Sequence, residues 1–146
     1  MPHAIEVHRN GLTISTDPRR LNLDTICDFL AQSYWAQTRN RKTIKRSLRH
    51  SLIFAVYDQE RQVAMARLVT DYATFAWLCD VFVQPDYRGR GIGKWLMETI
   101  QAHPDLQGLK RWMLATRDAH GLYAQYGFTP LHTPEHCMEK VDPDAR

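Results

Sequence analysis

The sequence predicts an α/β (α+β) fold with a mixed central sheet of about six to seven strands, flanked by about four helices. Three observations predict this class: an Asn-Gly dipeptide between two short alternating segments, a run of strand-like segments over residues 51–84, and an amphipathic segment, residues 92–103, that separates two strands. A helix between strands implies a crossover connection, and so a parallel strand pair beside antiparallel ones.

The first part of the chain combines a hairpin with a helix. Residues 5–16 partly alternate apolar and polar side chains around Asn10-Gly11, the dipeptide that best suits a two-residue hairpin turn. The next segment is typical of a helix, because its apolar side chains recur every three or four positions, at Leu23, Ile26, Cys27, Leu30 and Tyr34. Asn22 or Asp24 can cap this helix, since either side chain accepts hydrogen bonds from first-turn amides.

A second helix, from about Lys42 to His50, is strongly basic. The stretch that contains it has no acidic residue and carries six cations: Arg39, Arg41, Lys42, Lys45, Arg46 and Arg49. In a helix most of these side chains share one face, while Ile44 and Leu48 point elsewhere. We interpret the charge first as a solvated helix face.

The rest of the chain is predicted to form strands interrupted by two helices. Strands are predicted at 51–57, 62–70, 75–84 and 111–116, and helices at 92–103 and 119–126. Short turns join the first three strands, which favours an antiparallel meander. Gly127 suits a left-handed cap for the last helix, and residues 128–131 return to extended chain.

Composition limits the class of protein. The 146 residues, 44% hydrophobic and 24% charged, can bury one core, and no linker or repeat divides them, so we predict a single domain over residues 1–146. No apolar run approaches the ~20 residues that cross a bilayer. The three cysteines are widely spaced and odd in number, which predicts reduced thiols and a cytoplasmic location. A net charge of +3 suits an anionic small ligand.

A glycine-rich turn within residues 81–94 is the most informative segment. A predicted strand runs through it directly into a helix, and the free amides of a helix N-terminus, with glycines beside them, favour phosphate binding. The Walker pattern fails because Arg88 and Trp95 stand where it needs Gly and Ser or Thr. The dinucleotide pattern fails because Lys94 or Leu96 stands at its third glycine.

The turn instead has the pattern R-x-x-G-x-G over residues 88–93, which resembles the coenzyme A pyrophosphate loop of the GNAT superfamily of N-acetyltransferases. A second block, residues 116–128, resembles a later motif of the same family, with matches at Ala119, Tyr123, Gly127 and Phe128. Thr116 departs from that motif, because the family usually has Asn there. The resemblance covers residues 62–131.

The resemblance implies the GNAT fold, with a sheet splayed in its middle, and acetyl-CoA or coenzyme A as cosubstrate. In that family the pantetheine arm pairs with the strand that precedes the loop, and the loop amides hold the pyrophosphate. The coenzyme-binding residues that this implies are Val81, Phe82, Val83, Arg88, Gly89, Arg90, Gly91, Ile92, Gly93, Lys94, Thr116 and Ala119.

The resemblance further implies an N-acetyltransferase that moves an acetyl group to a primary amine of a small molecule or peptide by direct attack. An alkylamine with a pKa of about 10.4 is almost fully protonated at pH 7, so the reaction needs a proton acceptor. Asp80, Asp71 or a chain of water molecules can serve. Tyr123 matches the family's general acid, which protonates the leaving thiolate of coenzyme A.

The acceptor is less defined by the sequence. Our candidates for binding it are Tyr34, Trp35, Asp71 and Trp77, and a second hypothesis is that the basic helix recruits an acidic acceptor, such as an amino acid through its carboxylate. We predict no metal, nucleic-acid or membrane partner. Dimers are common in the family, so the resemblance is compatible with a homodimer. The alternative function is a domain of the same fold that binds coenzyme A or acyl-CoA for sensing without turnover. Such a domain would not need Tyr123.

Overall fold

The computed structural model describes residues 3–146, so the first two residues of the predicted 1–146 domain lie outside the described part. Six strands form one mixed sheet in the order of the sequence: β1 Glu6–Arg9, β2 Leu12–Ser15, β3 Leu52–Asp58, β4 Arg61–Thr70, β5 Phe75–Val83 and β6 Arg111–Leu114. The α-helices in residues 3–146 are α1 Leu23–Gln32, α2 Arg41–Arg49, α3 Ile92–Ala102 and α4 His120–Ala124. The predicted mixed sheet with about four helices is confirmed.

The N-terminal elements form as their local sequence requires. Asn10 and Gly11 both have positive φ, 53° and 79°, which is the two-residue turn whose twist matches a hairpin. The side chain of Asn22 accepts a hydrogen bond from the amide of Thr25, so Asn22 is the cap of α1. Tyr34 continues the apolar period of α1 but lies beyond its end, in the loop that leads to α2.

The strand pairing follows the predicted meander and crossover. Strands β1 to β5 pair antiparallel in sequence order, and β6 pairs parallel with β5 after the crossover through α3. β6 ends at Leu114, two residues before its predicted end, and residues 128–131 are not part of a strand.

Two apolar clusters cover the two faces of the sheet. One contains α3, whose Leu96 and Ile100 are fully buried. The other contains α1 and α2, and there Phe29 stacks on Phe82 with 4.7 Å between ring centroids. α2 buries Ile44 and exposes its cationic side chains, as expected for a solvated basic face.

Three further findings bear on the class of protein. No helix within residues 3–146 combines the length and the apolar character that crossing a membrane requires. In the same part of the chain, no three His, Cys, Asp or Glu side chains are grouped so as to hold a metal ion. The three cysteines are free thiols.

Candidate active site

The sheet opens between β5 and β6. The two strands pair from Phe75 with Arg111 as far as Leu78 with Leu114, whereas β5 continues to Val83. On its other edge β5 stays paired with β4 up to Val83. Among the described residues, no strand covers the second half of β5 on the β6 side, so backbone N–H and C=O groups there can pair with an extended ligand.

A β-bulge at Asp80 marks the point where the strands separate. Arg67 of β4 pairs with Cys79 and Met65 pairs with Phe82, so β5 holds one residue more than β4 between these two pairs. Asp80 accommodates it with a φ of 49°, a left-handed conformation that is uncommon outside glycine. Consequently Phe82 packs in the cluster of α1 and α2, whereas even-numbered residues before the bulge pack in the cluster of α3.

A cavity of about 330 Å³ lies at this opening. Its walls come from the loop between α1 and α2, from β4 and β5, and from the segment between β6 and α4. The lining residues are Tyr34, Trp35, Arg39, Arg67, Trp77, Leu78, Cys79, Asp80, Val81, Leu114, Ala115, Thr116, Asp118, Ala119 and Tyr123.

Asp80 is the polar centre of the cavity, and its side chain is only 2% exposed. Its Oδ1 accepts a hydrogen bond from Nε1 of Trp35 at 2.8 Å. Its Oδ2 accepts one from Nη1 of Arg39 and one from Nε of Arg67, both at 2.8 Å. Arg67 also donates to the hydroxyl of Ser51 at 3.1 Å. The carboxylate thus ties the α1–α2 loop to β4 and β5.

The protonation states of this region follow from burial and from the arginines. Burial alone would raise the pKa of Asp80, but the charges of Arg67 and Arg39 and the hydrogen bonds donated by Arg67 and Trp35 hold it below its usual value. Asp80 is therefore ionised at neutral pH. Burial raises the pKa of the neighbouring Cys79 to about 11, so this thiol stays protonated and is a poor nucleophile.

Tyr123 forms the opposite wall of the cavity, on α4. It is 7% exposed, and burial, followed by the proximity of Tyr34 and Asp118, raises the pKa of its hydroxyl. Its ring meets Phe128 edge-on, with centroids 6.0 Å apart. No group of residues 3–146 hydrogen-bonds to the Tyr123 hydroxyl. A phenol that keeps its proton beside a cavity can donate it to a ligand there.

Aromatic side chains form the rim of the cavity. Tyr34 and Trp35 are 43% and 39% exposed and meet edge-on at 5.1 Å. The guanidinium of Arg117 lies 3.8 Å from the centroid of Tyr34, and the backbone amide of Arg117 donates to the Tyr34 hydroxyl at 3.0 Å. Trp77 lines the same cavity from β5. Three of the four predicted acceptor residues are thus brought together.

Asp71 is the exception, because it does not line the cavity. It lies in the turn between β4 and β5, where its carboxylate accepts hydrogen bonds from the amides of Ala73, Thr74 and Phe75 and from the Thr74 hydroxyl. The Thr74 hydroxyl and these amides hold the pKa of Asp71 well below its usual range. In this structure Asp71 shapes its own turn.

The glycine-rich loop connects the end of β5 to α3. Gly89 and Gly91 have φ values of 77° and 76°, which side-chain-bearing residues rarely adopt. Gly91 directly precedes α3, and no side chain caps the helix, so the first amides of α3 are left for water or a ligand. Arg88 and Arg90 donate to backbone carbonyls near the loop at 2.9 and 3.2 Å. Lys94 is exposed.

Two further predicted coenzyme-binding residues lie across the opening from β5. The hydroxyl oxygen of Thr116 accepts a hydrogen bond from the amide of Ala119 at 3.1 Å, at the start of α4. Both residues line the cavity. The side chain of Phe82, in contrast, is buried in the cluster of α1 and α2, so only its backbone can face a ligand.

Arg39 and Arg67 are cavity residues that were not among the predicted site residues. Arg67 has a sequence signal, because it is a charged side chain inside the otherwise apolar stretch 63–69. Arg39 has none, since it stands among other cations just before α2.

Comparison with known proteins identifies the family. The family model of the acetyltransferase (GNAT) domain matches residues 49–130. The chain belongs to this family of acetyltransferases, which confirms the resemblance seen in its motifs.

Solved structures and sequenced relatives support the same family. A crystal structure of a Xanthomonas campestris protein assigned to the GNAT family is 49% identical, covers 93% of this chain and 96% of its own, and superimposes with a TM-score of 0.89. A Gibberella zeae protein assigned as an acetyltransferase is 29% identical over 140 residues, which are 80% of this chain and 78% of that protein. A GNAT structure from Elizabethkingia anophelis with acetyl-CoA bound shares the fold, with 14% identity, a TM-score of 0.65, and coverage of 93% of this chain and 91% of its own.

Proposed function

We propose that the protein is an N-acetyltransferase that moves an acetyl group from acetyl-CoA to a primary amine of a small molecule or peptide. The observation that carries the proposal is the opening between β5 and β6. It exposes one edge of the strand that leads into the uncapped N-terminus of α3, and a cavity walled by Tyr123 lies at it. Acetyl-CoA supplies an acyl thioester, which is already activated for attack by an amine.

The described residues fit coenzyme A. The unpaired edge of β5 at Val81 offers backbone groups for the amides of a pantetheine arm, whereas the Val83 carbonyl already accepts a hydrogen bond from Nε of Arg88 at 2.9 Å. The first-turn amides of α3 and the positive end of its dipole suit a pyrophosphate, and Arg88, Arg90 and Lys94 add cationic side chains around them.

The reaction requires two proton transfers, one to the departing thiolate and one from the attacking amine. Tyr123 donates one to the departing thiolate, since burial keeps its hydroxyl protonated. For the proton of the amine, the geometry favours water over Asp80, because three donors occupy the Asp80 carboxylate and its lowered pKa makes it a weak base. We assign Asp80 the role of a positioning residue that holds Trp35 and the two arginines at the cavity.

The proposal is tested by calorimetry with acetyl-CoA and by kinetics of Tyr123→Phe. We expect the variant to bind acetyl-CoA as the wild type does and to lose about 100-fold in kcat. Tyr126→Phe is the matched control, because the Tyr126 hydroxyl donates to the carbonyl of Lys94 at 3.2 Å and does not line the cavity.

Three results bear on the proposal separately. No heat of binding with millimolar acetyl-CoA contradicts coenzyme binding. Unchanged kcat in Tyr123→Phe contradicts the general-acid role. Tight binding with no transfer to any amine favours the alternative, a non-catalytic module that binds coenzyme A or acyl-CoA.

A further inference from the structure

The buried charges of the cavity do not balance. The side chains of Asp80, Arg67 and Arg39 are 2%, 14% and 23% exposed, so one carboxylate faces two guanidinium groups. The only other acidic side chain lining the cavity within residues 3–146 is Asp118, which is 66% exposed and pairs with Arg117 at 3.5 Å. A surplus of one positive charge therefore remains in the enclosed part of the cavity.

The two arginines also have hydrogen-bonding capacity left over. Arg39 uses only Nη1, and Arg67 uses Nε and Nη1. In residues 3–146, nothing accepts a hydrogen bond from Nε or Nη2 of Arg39, whereas Arg67 also has the Cys79 thiol as a hydrogen-bond partner. Enclosed cations are normally paired, and the planar guanidinium matches a carboxylate with two parallel N–H donors.

We infer that the acceptor is a free amino acid whose carboxylate binds Arg39 and Arg67 beside the reacting amine. This inference rests on the proposed function and deepens it. A free amino acid carries its amine and carboxylate on one carbon, so both groups fit a single small cavity. The N-terminus of a peptide lacks that carboxylate, and a polyamine would add positive charge where the protein already has a surplus.

The aromatic rim complements this assignment. Tyr34, Trp35 and Trp77 offer apolar surface for the acceptor's side chain next to the two arginines. Arg39 lies in the same loop as Tyr34 and Trp35, so we assign it as the residue that selects for the carboxylate. The basic face of α2 is a different surface, because none of its cations lines the cavity.

The first test measures thiol release from acetyl-CoA with each of the twenty amino acids. The best acceptors are then each compared with the amine that lacks only the carboxylate. These matched amines are tryptamine for tryptophan, phenethylamine for phenylalanine and isoamylamine for leucine. We expect the amino acid to exceed the matched amine about 100-fold in kcat/KM, since without the carboxylate the surplus positive charge of the two arginines over Asp80 stays uncompensated.

The second test measures the same ratio in variants. Arg39→Gln should lower the preference for the amino acid at least tenfold, mainly through KM, while Arg39→Lys retains part of it. Arg49→Gln is the matched control on the exposed face of α2 and should leave the ratio unchanged. Comparing ratios between proteins cancels the different pKa values of the two amines. Calorimetry with acetyl-CoA and a thermal midpoint for each variant show that the fold is intact.

The outcomes are distinct. Equal rates for amino acids and their matched amines overturn the inference, as does an unchanged ratio in Arg39→Gln. Binding of acetyl-CoA with no transfer to any of the twenty amino acids also overturns it and leaves the proposed coenzyme site standing. Failure of acetyl-CoA to bind overturns both proposals.

Discussion

Oδ2 of Asp80 lies 2.8 Å from Nε of Arg67, on the neighbouring strand beside the bulge. In a regular strand Asp80 would share the face of Leu78, which packs with α3. The left-handed backbone at Asp80 turns its side chain to the other face, where Arg67 and the α1–α2 loop supply donors. The unusual φ and the ion pair therefore depend on each other.

We expect Asp80→Asn to lower the free energy of unfolding by about 3 kcal/mol, because it leaves two largely enclosed arginines without a counter-charge. Asp24→Asn is the control, since Asp24 forms an exposed pair with Arg41 and should cost at most about 0.5 kcal/mol. Urea unfolding at pH 7 measures both. Equal losses in the two variants would contradict the central role of Asp80.

The same pair predicts a pH dependence. The folded-state pKa of Asp80 lies below its ordinary value of 3.8, so its stabilising effect is fully present above that pH and is lost as the pH falls through the lower, folded-state value. The difference in unfolding free energy between wild type and Asp80→Asn should therefore narrow below about pH 4. A difference that stays constant from pH 7 to pH 3 would show that the lowered pKa is not the cause.

The glycines of the loop should respond differently to alanine. Gly91 has a φ of 76°, so Gly91→Ala should cost about 1 kcal/mol of stability through backbone strain. Gly93 has an ordinary φ, and a Cβ there would meet Leu122 at 3.6 Å, an ordinary contact. Gly93→Ala should therefore leave the thermal midpoint unchanged or slightly raised. A lower midpoint for Gly93→Ala than for Gly91→Ala would contradict this ranking.

Much of the fold is predictable from the sequence because its signals are local. Asn10-Gly11 sets the hairpin, Asn22 caps α1, and the motif around Gly91 places the start of α3 directly after a strand. These features depend on a few adjacent residues. Strand and helix periodicity then orders the remaining elements, and a helix between strands implies the parallel pair of β5 and β6.

The centre of the cavity is less predictable because it depends on contacts between distant segments. Arg39, Arg67 and Asp80 meet only when the loop before α2, the middle of β4 and the bulge of β5 come together. Asp adopts the left-handed conformation more often than most residues do, but nothing in the sequence around Asp80 distinguishes it in this respect from the other aspartates. For Asp71 the sequence is misleading in a different way. It offers Asp71 and Asp80 equally as proton acceptors, but the hydrogen bonds of the Asp71 carboxylate are made within its own turn.

Substitutions at Thr116 should distinguish its effect on the stability of the fold from its effect on coenzyme binding. Its hydroxyl oxygen accepts from the amide of Ala119, so Thr116→Ala should cost about 1 kcal/mol of stability, while Thr116→Asn preserves an acceptor and should cost much less. Thermal unfolding measures the fold, and calorimetry with acetyl-CoA measures the coenzyme. Thr116→Asn places at this position the residue that the GNAT family usually has. We therefore expect it to bind acetyl-CoA at least as tightly as the wild type.

Two buried tyrosines allow the effect of an unpaired hydroxyl on stability to be compared with that of a hydrogen-bonded one. The Tyr57 hydroxyl is buried with no hydrogen-bond partner in residues 3–146, whereas the Tyr87 hydroxyl donates to the carboxylate of Asp58. Tyr57→Phe should stabilise the protein by about 1 kcal/mol, because it removes a polar group that folding desolvates without compensation. Tyr87→Phe should instead destabilise it, because the Asp58 carboxylate then loses its hydrogen-bond donor. The ring of Tyr57 still packs under Arg20 in the variant, as the guanidinium lies 4.3 Å from its centroid.

Alkaline pH should increase the difference in unfolding free energy between Tyr57→Phe and the wild type. Burial raises the pKa of Tyr57 from 10.0 to about 12, so between these values the unfolded chain releases the proton and the folded chain keeps it. The wild type therefore loses stability from Tyr57 as the pH rises above 10, and the Phe variant does not. Urea unfolding of both proteins at pH 8 and pH 10.5 tests this directly. A stability difference that is the same at both pH values would show that the Tyr57 hydroxyl finds a partner that lowers its pKa.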